Sequence, residues 1–231
     1  MTIETFTFID RKRLFAQLGA DMTDHIAAAL KKRRKASLAL AGGTTPGPLY
    51  EHLSHQPLKW EKVSVTVTDE RWVHPDDPGS NAFLVRDMLL NRRAAEASFI
   101  PMKTNHARPT AGAATAEKRI APIMPFDICL IGMGSDGHIA SLIPGAEGFE
   151  AAADPDAARM VAGVHAEGAA GSPDRMTLTM AGILNSRLIV LLFMGQEKMT
   201  TFELAIAGEG VSPVRTLAVQ KKVPVHAYWA P

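Results

Sequence analysis

Four times along this 231-residue chain a short apolar run stops at a polar or glycine-rich turn and gives way to a helix-forming stretch. The runs are Ser37–Ala41, the alternating Val63, Val65 and Val67, Phe126–Ile131 and Leu188–Phe193. Strands buried on both faces of a parallel sheet read as such apolar runs, and the intervening helices cover the faces. The pattern predicts an α/β fold with a mostly parallel sheet. In folds of that kind ligands bind beyond the carboxyl ends of the strands, so the turns after these runs are where chemistry is expected.

Several helices are legible from their caps and stripes. Leu14, Leu18, Met22, Ile26 and Leu30 follow Asp10 at a spacing of four, which predicts a helix from about Asp10 to Arg34 with Asp10 as its cap. The closing block Lys31–Lys35 suits a helix carboxyl end and reads as a solvated face. Leu49, Tyr50 and Leu53 mark a helix after Gly42-Gly43-Thr44-Thr45-Pro46. Ser80 caps one bearing Phe83, Leu84 and Met88, and another runs from Glu197 to about Ala207. A short helix is expected between Gly137 and Pro144. The stretch Ala146–Gly171 reads as loops and weak helix with one strand near Met160–Val164, and Val223–Trp229 as a closing strand. With no repeat and no low-complexity linker, one domain over residues 1–231 is expected.

Charge restricts the partners. Lys and Arg number 25 against 24 Asp and Glu, so no overall field draws the chain to nucleic acid or membrane. An anionic ligand must be met by local donors. Cys129, alone in its apolar run, reads as a small buried hydrophobe. Met1–Asp10 has no charged-then-apolar leader pattern, and Leu188–Met194 is far too short to span a bilayer. A cytoplasmic protein, monomeric or a small homo-oligomer, is expected.

The turns hold the candidate chemistry. Gly42–Pro46 lacks the lysine of a nucleotide-triphosphate loop, and by itself is either a tight capped turn or a phosphate cradle at a helix start. Gly132-Met133-Gly134-Ser135-Asp136-Gly137 matches a dinucleotide fingerprint in letters, but Pro144 follows too soon for the long helix that fingerprint opens. It is no nucleophile elbow either, since Met133 stands where glycine is needed. What remains there is Asp136 and His138 at a strand end, an imidazole able to take a proton from water. Asp69-Glu70-Arg71 ends the second run and presents either a surface ion pair or an Arg for an oxyanion and an Asp for sugar hydroxyls. Arg175 and Lys198 are either solvated charges or phosphate partners. His52 and His55 share a helix face with no carboxylate or thiol to complete a metal set.

Taken in order, Ala41–Pro46, Thr68–Val73 with Ser80-Asn81, Gly132–Leu142, Arg175–Thr179 and Gly195–Lys198 resemble the 6-phosphogluconolactonase family, which shares a superfamily with glucosamine-6-phosphate deaminase. The resemblance implies a three-layer, modified Rossmann-like α/β fold that binds no nucleotide or other cofactor. It implies a metal-free hydrolase of a phosphorylated sugar lactone in the pentose phosphate pathway. His138 falls on the catalytic histidine, Asp136 on its neighbouring acid and Arg71 on the family's arginine. Gly43, Thr44 and Thr45 fall on the phosphate loop with Arg175 and Lys198 as its partners, and Asp69 and Asn81 are expected to bind substrate. Ile143 stands where the family has Phe. The rival on the same fold, an aminosugar isomerase-deaminase, resembles Asp-Glu-Tyr where this chain has Asp69-Glu70-Arg71.

Overall fold

A computed structural model describes residues 3–210 and 212–231; Met1, Thr2 and Val211 lie outside the described residues, and with the first two goes the start of the Met1–Asp10 segment. The chain runs β1 (Ile3–Thr7), α1 (Arg11–Arg33), β2 (Ala36–Leu40), α2 (Gly47–Ser54), β3 (Val63–Val67), β4 (Asp69–Arg71), α3 (Asn81–Met88), β5 (Ser98–Phe99) and α4 (Pro109–Ile120). It continues through β6 (Ile128–Gly132), α5 (Phe149–Ala153), β7 (Val161–His165), β8 (Asp174–Leu178), α6 (Met180–Leu184), β9 (Ile189–Met194), α7 (Gln196–Ile206), α8 (Pro213–Val219) and β10 (Val225–Ala230).

Seven strands form one sheet in the order β1-β10-β9-β6-β2-β3-β5, every neighbouring pair parallel. From β2 the chain first moves outward to β3 and β5, then returns to β6 on the other side. That reversal makes the β2/β6 gap the topological switch point, where a crevice opens beyond the strand ends. Helices flank the sheet. Asp10 Oδ1 accepts the Arg13 amide at 2.8 Å and starts α1, whose Leu14, Leu18, Met22 and Ile26 are buried. Each such apolar side chain contributes about 1.5–3 kcal/mol by leaving water. At the far end Lys31 and Lys32 are solvated, but Arg33 is not part of that face. It reaches buried Asp127 as an ion pair that Arg187 joins at 3.3 Å, because a carboxylate at the foot of the sheet must be neutralised.

A smaller antiparallel sheet, β4-β8-β7, stands off the first. Thr68 is the hinge: its N–H donates to Leu40 O in the large sheet at 2.9 Å, and its carbonyl accepts from Leu178 N in the small one at 2.8 Å. The strand ending at Val67 is thereby turned so that Asp69 and Arg71 face the crevice. This second sheet was not evident from periodicity, nor were β1, α4 and α8. The stripe of α4 is made of Gly112, Ala113 and Ala116 with Ile120, too small to register as apolar, because its neighbours leave little room: a Cβ on Gly163 of β7 would sit 2.3 Å from Thr110 N. The helix expected between Gly137 and Pro144 does not form. That stretch is irregular, with single bridges pairing Met133 with Ile139 and Ile139 with Leu142, and Ala140 is left-handed at φ 49°, which interrupts a helix.

Candidate active site

Over the β2/β6 switch point lies a cavity of about 290 Å³, at the small end of ligand clefts. It is lined by Gly42, Gly43 and Thr45 after β2, by Asp69 and Arg71 of β4 with Asn81, by His138 and Ala140 after β6, by Arg175 of β8 and by Lys198 of α7. All the residues expected in the site are among these except Asp136 and Thr44. Asp136 reaches the site through His138. Thr44 is solvent-exposed, and its carbonyl accepts Gly47 N at 3.4 Å as the chain enters α2. The helix begins one residue later than Pro46, with Pro48 in its first turn.

The β6 turn positions the imidazole. Asp136 Oδ1 accepts both the His138 amide at 3.1 Å and its Nδ1 at 2.6 Å. A carboxylate can only accept, so Nδ1 carries the proton and Nε2 of the neutral ring is the free base. Gly134 is required beneath this ring: a Cβ there would stand 2.3 Å from Cε1 and Nδ1. Two later elements brace the turn, Thr201 Oγ1 of α7 donating to Ser135 O at 2.7 Å and Val214 N of α8 to Gly137 O at 3.1 Å. Partial burial works against the Asp136 charge, but the amide, the charge and the ring N–H of His138 outweigh it and hold the carboxyl below its ordinary value.

The small sheet brings in the cations. Arg71 and Arg175 are register partners across β4 and β8, so two guanidinium groups share one face of the sheet. Like charges opposite one another are unfavourable, and an arriving anion would relieve them. Burial, followed by the field of Arg71, pushes the Arg175 guanidinium below its usual value against the pull of Asp69. Arg71 Nη1 donates to Gly79 O at 2.9 Å, while its buried Nε has no partner. Lys198, in the first turn of α7, faces the cavity with no ion pair among the described residues.

Glu70 has a different part from the one its place in an Asp-Glu-Arg run suggests. Its buried carboxylate accepts from the amides of Arg71 (2.8 Å), Asn81 (2.7 Å) and Ala82 (2.9 Å) and from Ser80 Oγ (3.0 Å). Burial raises its carboxyl above the ordinary range in spite of those bonds. It ties the start of α3 to β4, with Ser80 Oγ accepting Phe83 N at 3.1 Å as the cap. Asn81 is held the same way: its Nδ2 donates to Asp69 O at 2.8 Å, leaving buried Oδ1 without a partner. Sequence reasoning missed Ser141 and Thr177, both fully buried and bonded into this network. Both lie within segments that carry the family resemblance, Gly132–Leu142 and Arg175–Thr179, but nothing besides a hydroxyl among apolar neighbours marked them there. Among the described residues no three His, Cys, Asp or Glu side chains converge to hold a metal, and no helix is long and apolar enough to cross a membrane.

The sequence profile described as glucosamine-6-phosphate isomerases/6-phosphogluconolactonase matches residues 9–229. A 6-phosphogluconolactonase of Mesorhizobium japonicum is 38% identical over 97% of this chain and 94% of its own length. One of Rhizobium meliloti is 38% identical over the whole of both. The crystal structure of a 6-phosphogluconolactonase from Shewanella baltica superposes with a TM-score of 0.93 at 33% identity, covering 100% of this chain and 98% of that one. With a parallel sheet, a crevice at its switch point and these relatives along its full length, the chain belongs to the glucosamine-6-phosphate isomerase/6-phosphogluconolactonase family.

Proposed function

We propose that this protein hydrolyses 6-phospho-D-glucono-1,5-lactone to 6-phospho-D-gluconate, the lactone-opening step of the oxidative pentose phosphate pathway, by general-base activation of water. The observation behind this reading is one cavity that holds an Asp136–His138 pair together with Arg71, Arg175 and Lys198. The names of its relatives give the substrate. His138 Nε2 takes a proton from water, whose oxygen attacks the lactone carbonyl. Arg71, which lines the cavity, stabilises the tetrahedral oxyanion. When the ring C–O bond breaks, the imidazolium returns the proton to the leaving ring oxygen. Asp136 keeps the ring in the right tautomer and orientation throughout.

The phosphoryl group, with close to two negative charges at neutral pH, suits Gly43, Thr45, Arg175 and Lys198. Asp69 and Asn81, which line the same cavity, suit the hydroxyls of the sugar. Proton transfer of this kind typically gives about 10²–10⁴-fold, and anchoring the far end of the substrate adds orientation. No step requires a metal-bound hydroxide, so activity should survive exhaustive chelation. A cytoplasmic setting fits a phosphorylated metabolite and a single buried thiol.

Freshly prepared lactone supplies the test, with 6-phosphogluconate formation followed above the spontaneous rate. Wild type should be active and His138→Ala slower by about 10²-fold or more at little changed KM. Release of ammonia from glucosamine 6-phosphate, with no lactone hydrolysis, would assign the protein to the family's other activity instead.

A further inference from the structure

Ser141 sits three residues beyond His138, belongs to no helix or strand, and is fully buried. Its amide donates to Thr177 Oγ1 at 3.2 Å and its hydroxyl to Asp69 Oδ2 at 2.6 Å. Both bonds run from the imidazole's loop to the small sheet. The other contacts of the Asp69 carboxylate are longer: Oδ1 accepts from Asn81 Nδ2 at 3.3 Å and Thr68 Oγ1 at 3.4 Å. Ser141 therefore supplies its one short hydrogen bond among the described residues.

A competing donor waits nearby. Arg175 Nη1 already forms a loose ion pair with the same Oδ2 at 3.8 Å, too long for a hydrogen bond, with the two side chains only 9% and 10% exposed. The other Arg175 nitrogens are committed, Nε to Ser172 O at 2.9 Å and Nη2 to Ala170 O. Nη1 is thus the nitrogen left to meet a ligand from within the cavity. A buried carboxylate deprived of its short donor takes the nearest one available, and a shift of roughly 1 Å would close Asp69 onto Nη1 as a charge-assisted pair.

We propose that Ser141 is a positioning residue: its hydroxyl holds the Asp69 carboxylate off Arg175, so that the guanidinium charge stays open to the phosphoryl group of the substrate. This rests on the reading that the cavity receives a phosphorylated lactone. In Ser141→Ala, the loose Asp69–Arg175 ion pair closes to hydrogen-bond distance and the anion loses one charge-assisted contact. In an Asp69→Asn background no charge remains to swing over, so the same change has little to act on.

The four proteins of that double-mutant cycle are titrated with inorganic phosphate by calorimetry and assayed on the lactone. Ser141→Ala should weaken phosphate binding and raise KM about tenfold with kcat within about twofold, and should change either less than twofold on top of Asp69→Asn. Ser141→Cys, similar in volume but a weak donor, should move both in the same direction by a smaller factor. Equal losses in the two backgrounds, or a fall in kcat at unchanged KM and phosphate affinity, overturn the proposal. If wild type fails to hydrolyse the lactone, the parent reading fails. The phosphate titration then still decides the role of Ser141.

Discussion

Replacing Gly42 by alanine tests whether the crevice is built as tightly as its geometry indicates. A Cβ on Gly42 would lie 1.9 Å from Asn81 Oδ1, 2.0 Å from Cγ and 2.5 Å from Nδ2. No real Cβ tolerates contacts under 3.0 Å, so the amide must retreat by roughly 1 Å or more. Asn81 cannot retreat freely, because it is 2% exposed and its Nδ2 donates to Asp69 O at 2.8 Å. Overpacking costs about 1–3 kcal/mol, and stranding a buried amide and carbonyl about 1–3 kcal/mol more. The stiffer unfolded chain returns only about 0.4–1 kcal/mol. A net loss of about 3 kcal/mol lowers the melting temperature of a chain this long by roughly 6–12 °C. Since Asn81 lines the cavity, kcat/KM on the lactone should also fall about tenfold. Gly43→Ala is the control: nothing lies within 4 Å of its Cβ, and only its φ of +80° is strained, a cost of about 1–2 kcal/mol. Scanning calorimetry of the three proteins decides the matter. A Gly42→Ala protein that melts within about 2 °C of wild type, or above Gly43→Ala, refutes the argument.

Four further outcomes are expected. Asp136→Asn should lower kcat by about 10²-fold or more with KM nearly unchanged, since an amide carries no charge to steady the imidazolium and can turn an N–H towards Nδ1, which favours the wrong tautomer; an equal fall in binding would show a structural role instead. The lowered Asp136 carboxyl stabilises the fold above its ordinary value near 4 and loses that effect as pH falls through the depressed one. The melting-temperature gap between wild type and Asp136→Asn should therefore narrow below about pH 4, and a constant gap would contradict the linkage. Lys198→Ala should raise KM for the phosphorylated lactone at least about tenfold while leaving the unphosphorylated lactone unaffected; equal effects on both would place Lys198 away from the phosphoryl group. Burial pushes the Cys129 thiol up to about 12, so a thiol reagent at pH 8 should label the protein only after denaturation, and rapid native labelling would contradict that burial.

The residues in the crevice illustrate how differently sites can be read. His138 and Asp136 are two apart in one turn, so their pairing was legible locally, as was the Ser80 cap of α3. Arg175 is 104 positions from Arg71, and only the β4/β8 register makes them neighbours. Glu70 looked like one charge among three and proved to be the buried anchor of a helix start. The expected helix after Gly137 failed for a local reason, the left-handed Ala140, which composition does not announce.

Residue order alone determined the parallel sheet, because an apolar run of five or six residues between helices has few other ways to leave water. It also determined that polar turns would collect at the strand ends. Which of those turns share a cavity, which carboxylate pairs with which cation, and which hydroxyl stands between them were decided by the Thr68 hinge and by the small sheet it launches. Those are choices of long-range register and of where buried polar groups find partners, and such partners are set by the folded chain as a whole rather than by any stretch of it.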